Sequence, residues 1–247
     1  MPAAPRRTAL VAALSAAVAL GATACGPFSD DAKPAGPFGE LTGSQIVDKA
    51  FAATRTAKSM TVDVDEQGSA EPLKAYLSLD TQGRCAGTLT IGATGTVELI
   101  KPDDKNAYMR FDEAFLREQV KEDGPEAQDA MVKELKGRWM KGPVSDPDNK
   151  GMLELCDLKG LLDGFEQGAS GIAKGEETTV GGQKALALTE PGDGGETNTV
   201  YVATQGTPYV LKIVTKGGEE PGTITFSHYG KPVEAKAPAA KDVVETG

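Results

Sequence analysis

The chain has 247 residues, with 26 basic side chains against 36 acidic ones and a formal net charge of −10. That balance excludes a general nucleic-acid surface, which needs a basic face for the phosphates, and argues against broad adhesion to anionic headgroups. One His and three Cys leave few ligands for a transition metal.

Arg6 and Arg7 precede an apolar run over 9–20, and Gly21-Ala22-Thr23-Ala24 places small residues just before Cys25. A basic start, an apolar centre and a small-residue exit are the three parts of a secretory signal, so residues 1–24 read as a leader. The apolar run falls short of the roughly 20 residues that a membrane span needs. Small residues followed by Cys25-Gly26 resemble the lipobox of bacterial lipoproteins. The resemblance implies that the Cys25 thiol takes a diacylglycerol and becomes the first mature residue. The chain would then be extracytoplasmic, anchored to the outer face of the cell membrane. An ordinary signal cut near Ala24, with Cys25 a stray thiol, is the alternative. Arg6-Arg7-Thr8-Ala9-Leu10 also resembles a twin-arginine export signal, and both export routes stay open. With Cys25 committed to lipid, Cys85 and Cys156 remain. Two thiols in an oxidising compartment are expected to pair, and closing so long a loop contributes roughly 4 kcal/mol on the chain-entropy model.

Residues 25–40 are rich in Pro, Gly and Asp and read as a tether. The folded body, 41–230, opens with a helix: Thr42 and Gln45 make a capping box, Leu41 and Ile46 sit as a hydrophobic staple, and Ile46, Val47, Ala50 and Phe51 form one apolar stripe. In Met60-Thr61-Val62-Asp63-Val64-Asp65 and again over 73–80, apolar and polar residues alternate without error. Such alternation marks an antiparallel sheet with one dry face. Weaker strands are expected at 84–91, 96–101 and 107–111. Helices are expected at 112–120 and from Pro125 to about Gly137. Arg138-Trp139-Met140 looks extended, 141–151 is a loop, and 152–165 is short and helical. Strands return at 184–189, 197–203, 208–215 and 223–228, with paired glycines between them as hairpin turns require. Residues 231–247 read as a polar tail. The order is helix, about five strands, helices, about five strands: one α+β domain.

No catalytic constellation or cofactor motif is legible. The sole histidine, His228, ends the last strand and reads as a surface residue, and nothing resembles G-x-S-x-G. The carboxylates of Asp146-Pro147-Asp148-Asn149 do not follow the spacing of a calcium loop and read as a solvated turn. No glycine pair sits between a strand and a helix as a phosphate loop must. A non-enzyme without metal or cofactor is therefore expected. What stands out is a large aliphatic sheet face with few amphipathic helices to cover it.

The lipobox Cys25, the capped helix running into alternating strands, Gly137-Arg138-Trp139-Met140-Lys141, and the closing segments Pro208-Tyr209-Val210-Leu211-Lys212-Ile213 and Ile224-Thr225-Phe226-Ser227-His228-Tyr229-Gly230-Lys231-Pro232-Val233 together resemble actinobacterial lipoproteins of the LolA/LppX-like superfamily. The resemblance implies an unclosed antiparallel β-half-barrel of about ten strands, capped by helices over a hydrophobic cavity. It also implies that the cavity holds acyl chains, with the lipid anchor as the link to the membrane. Alternation puts Met60, Val62, Val64, Leu77, Leu79, Leu99, Met109, Phe111, Leu211, Ile213 and Phe226 on the face that would line such a cavity, with Trp139 near its rim. A half-barrel filled by its own side chains, serving as an anchored interaction or sensor module, is the other reading.

Overall fold

The computed structural model describes residues 36–68, 72–92, 95–163 and 171–245. The leader, Cys25 and most of the tether lie outside them. Helix α1, Gly43–Arg55, carries the expected capping box: Gln45 N–H donates to Thr42 Oγ1 at 3.2 Å, and Thr42 N–H donates to Gln45 Oε1 at 2.8 Å. Its stripe of Ile46, Val47, Ala50 and Phe51 is buried against the sheet. At its last turn, buried Thr54 accepts from Val210 N–H at 3.0 Å, tying helix to strand.

The strands are β1 Ser59–Glu66, β2 Leu73–Asp80, β3 Cys85–Ile91, β4 Thr96–Lys101, β5 Asn106–Phe111, β6 Trp139–Pro143, β7 Ala173–Val180, β8 Gln183–Pro191, β9 Thr197–Ala203, β10 Val210–Lys216, β11 Gly222–Ser227 and β12 Val243–Glu245. They form one unclosed sheet of 12 strands in the order β12-β6-β5-β4-β3-β2-β1-β11-β10-β9-β8-β7. Two meanders, β1 to β6 and β7 to β11, are thus joined where β1 pairs with β11. The architecture is the expected α+β half-barrel, with more strands than sequence alone suggested. Strand β7 escaped notice because AKGEETTV is a polar, exposed edge strand without a dry face. Strand β12 lies in the stretch read as a tail: after the last long strand, Val233 is buried, and Val243–Glu245 adds a parallel edge to β6.

Cross-strand pairing makes continuous apolar rows on the concave face. One row runs Phe226, Val62, Leu77, Gly87, Leu99, Met109. Burying each Leu or Phe in such a row contributes about 1.5–3 kcal/mol. Gly87 interrupts the row for a steric reason: a Cβ there would lie 1.9 Å from Tyr76 O, so the sheet's close approach admits no side chain. The convex face is polar and paired over much of β1 to β5 and carries a small apolar cluster over β8 to β10. Arg110 donates to Glu98 at 3.1 and 2.6 Å and lies 4.7 Å from the Trp139 ring centre, and Thr61 and Ser78 share a hydrogen bond of 2.9 Å.

Helices α2, Glu113–Gln119, and α3, Pro125–Leu135, follow β5, with Phe115 of α2 stacked on Phe111 at 4.7 Å. Helices α4, Lys150–Glu154, and α5, Leu158–Asp163, come next, and Leu153, Leu158 and Leu162 join the core. Cys85 of β3 and Cys156 between α4 and α5 form a disulfide, both cysteines buried, with Cα atoms 5.5 Å apart.

Candidate functional site

The turns β2–β3 and β4–β5, the end of α1 and the α4–α5 pair meet at one end of the half-barrel. Local chemistry fixes each part. Asp80, buried at the end of β2, accepts from Gln82 N–H at 2.9 Å and Arg84 N–H at 3.1 Å, and its other oxygen holds Arg84 Nε at 2.8 Å. The carboxylate thus replaces the backbone partners that the tight turn lacks. Gly83 takes φ +75, which only glycine adopts without strain. Lys101, buried at the end of β4, donates to Gly83 O and to Asp104 Oδ1, both at 2.7 Å, so one ammonium ties the two turns together. Asp146 accepts from Asp148 N–H at 3.0 Å, capping the 3₁₀ turn Pro147–Asn149 that leads into α4, and Asp157 accepts from Lys159 N–H at 3.0 Å just ahead of α5. The disulfide then holds the α4–α5 pair to β3.

These elements surround a pocket of about 630 Å³. Its floor is Ala57, Val144, Leu153, Leu158 and Leu162, with the Cys156 half of the disulfide. Its rim is charged but largely self-neutralised: Lys101 pairs with Asp104 at 2.7 Å, Lys159 with Asp163 at 2.8 Å and Lys150 with Glu154 at 3.8 Å. The hydrogen bond between Lys159 and Asp163 raises the pKa of the first and lowers that of the second. An apolar floor with a few placed polar groups, in the range of roughly 300–1,000 Å³, is the usual form of a small-molecule site.

The strand positions singled out from sequence are gathered in the core, and none of them lines this pocket. Met60, Val62, Leu77, Leu79, Leu99, Met109 and Phe226 are buried in the main core, and Val64, Phe111 and Ile213 pack half-buried against it. Leu211 is placed otherwise. A β-bulge between Val210 and Lys212 shifts the alternation by one, so Val210 joins the main core while Leu211 packs with Ala185 and Ala203 on the opposite face. Trp139 is buried under the Arg110 guanidinium, away from the pocket. His228 is exposed at φ +52, its Nδ1 3.2 Å from Ser227 Oγ. The floor residues Leu153, Leu158 and Leu162 did have a signal, an apolar face in a segment read as helical. It was outweighed by the more regular alternation of the strands.

No family model matches the chain, and no curated protein matches it. Solved structures do. LprF from Mycobacterium bovis superposes with a TM-score of 0.53 at 15% identity, covering 80% of this chain and 97% of that one. The lipoprotein LppX of Mycobacterium tuberculosis gives 0.48 at 14%, covering 78% of this chain and 98% of that one. The likeness to LprF is one of fold and spans nearly all of that protein.

Proposed function

We propose that this chain, which has the LolA/LppX-like fold, is a non-catalytic envelope lipoprotein that binds an acyl chain or similar apolar ligand in the pocket beside the disulfide. It is held at the outer face of the cell membrane by lipid on Cys25. The observation that carries this reading is the pocket itself: about 630 Å³ over an apolar floor at the open end of a half-barrel. Each methylene buried there contributes about 0.8 kcal/mol without any directional contact, so ligands differing in chain length should be graded rather than accepted or refused. No helix among the described residues is long and apolar enough to cross a membrane. Native mass spectrometry of the purified protein should find co-purified lipid, and Leu162→Trp, which fills the floor, should reduce bound lipid several-fold. Cys25→Ala should leave the membrane fraction or stay uncleaved. A mature Cys25→Ala protein that remains membrane-bound contradicts the anchor.

The second reading, an anchored interaction module with a filled core, draws on a specific observation: Leu79 and Leu99 are 0% and 1% exposed, packed among their neighbours on the concave face. A protein that carries no lipid, and takes none up from detergent-solubilised lipid, favours it.

A further inference from the structure

We propose that a second site, a groove for a phosphate or carboxylate group, lies across the β2–β3 turn from the apolar pocket. The groove, about 280 Å³, is formed by Lys58 and Ser59, the turn at 80–84 and the segment 230–233. It is a built feature. Thr81 N–H donates to Lys58 O at 2.9 Å, Gly230 N–H to Ser59 O at 2.9 Å, and Ser59 Oγ to Lys231 O at 2.7 Å, so three distant stretches of chain are cross-linked around it.

Its charge runs against that of the molecule. Lys58, Arg84 and Lys231 line it, and Asp80 is the acid among its lining residues. That carboxylate is already committed to Arg84 and two backbone N–H groups. Glu234, next along the chain, is held by Lys236 at 2.7 Å. Lys58 and Lys231 take part in none of the ion pairs among the described residues, whereas Lys101, Lys150 and Lys159 around the apolar pocket each have an acid beside them. Arg84 and Asp80 neutralise each other, so in a chain of net charge −10 the groove keeps the two lysines, Lys58 and Lys231, as its local positive charge. Lysine ammonium groups there suit phosphate as point charges, while Arg84 is held on Asp80 through Nε and Nη2.

Asp80 and Thr81 line both the groove and the apolar pocket, so one turn separates them. On the acyl-binding reading of that pocket, on which this step rests, one amphiphile would place its chain on one side of the turn and its anionic head on the other.

The test uses the full chain carrying Cys25→Ser, with and without Lys58→Gln/Lys231→Gln. Calorimetric titration is done with dihexanoyl phosphatidic acid, dihexanoyl glycerol and inorganic phosphate, at low and high salt. Both lysines are exposed, and an unchanged thermal transition checks that the double variant folds. Phosphatidic acid is expected to bind more tightly than the uncharged glyceride, to lose about tenfold or more in the double variant, and to weaken with salt. Lysine-dependent binding of inorganic phosphate, with phosphatidic acid no tighter, keeps the groove as a free-anion site and counts against the acyl pocket. Equal binding of both amphiphiles, unchanged in K58Q/K231Q, overturns the groove and leaves the pocket standing. Absence of binding by either anion also overturns the groove.

Discussion

Tyr229 sits where the bulged strand β10 meets the end of α1. Its ring stacks on Tyr209 with centroids 4.1 Å apart, and its hydroxyl donates to Val210 O. Burial disfavours the phenolate and pushes the pKa well above the ordinary tyrosine value, while a hydrogen bond with Thr54 acts weakly the other way. Below about pH 10 the ring is protonated in both the folded and the unfolded chain, and its contribution is fully present. Above that, the unfolded chain ionises while the folded one stays neutral, so stability falls as pH rises. Tyr229→Phe should flatten this alkaline loss in denaturant titrations, at a cost of about 1 kcal/mol near neutrality for the missing hydrogen bond. At this scale the sequence was readable wherever alternation is strict: Met60, Val62, Leu77 and Leu79 are buried as their spacing requires. It misled at Leu211, because the extra residue in β10 turns Leu211 to the other face, while Ile213 beyond the bulge still packs against the core. The bulge answers to a partner strand and to Thr54, neither of which local sequence displays.

The α4–α5 pair is two short helices, of 5 and 6 residues, too short to hold together by backbone hydrogen bonds alone. Their three buried leucines and the disulfide supply what helix propensity cannot. Replacing both Cys85 and Cys156 by Ser releases a loop of 71 positions and should lower unfolding free energy by about 4 kcal/mol on the chain-entropy model. Amide exchange should rise first in 150–163, the pocket's outer wall, and a uniform rise across the sheet would contradict that role. The long elements were legible because each carries its own signal: a capping box for α1, alternation for β1 and β2. The edges were not. Strand β7 has no buried face, and β12 is 3 residues long and parallel, so each exists only because a partner strand offers hydrogen bonds.

The half-barrel as a whole places its apolar pocket at one end, not along the middle of the concave face, where strand side chains meet each other and the helices. The sequence showed that a large aliphatic face had to be covered. It could not show which part of that face would be left uncovered, since that depends on where α1 and α5 come to rest. The joining of two meanders by a single strand pair has a further consequence, for the rate of folding. Within each meander every strand pairs with its sequence neighbour, so those contacts close short loops and form early. The β1–β11 seam pairs Val62 with Phe226 and Val64 with Ile224, from opposite ends of the described sheet sequence, and brings the largest loss of chain freedom. Docking the two halves should therefore limit the rate. Ile224→Ala, on the seam, should slow refolding by nearly its whole effect on stability, whereas Leu89→Ala, inside the first meander, should also do so only to the extent that β3 is formed before docking. Stopped-flow refolding of the two variants measures this directly: a seam variant that refolds at the wild-type rate and differs only in unfolding would place the barrier within a meander.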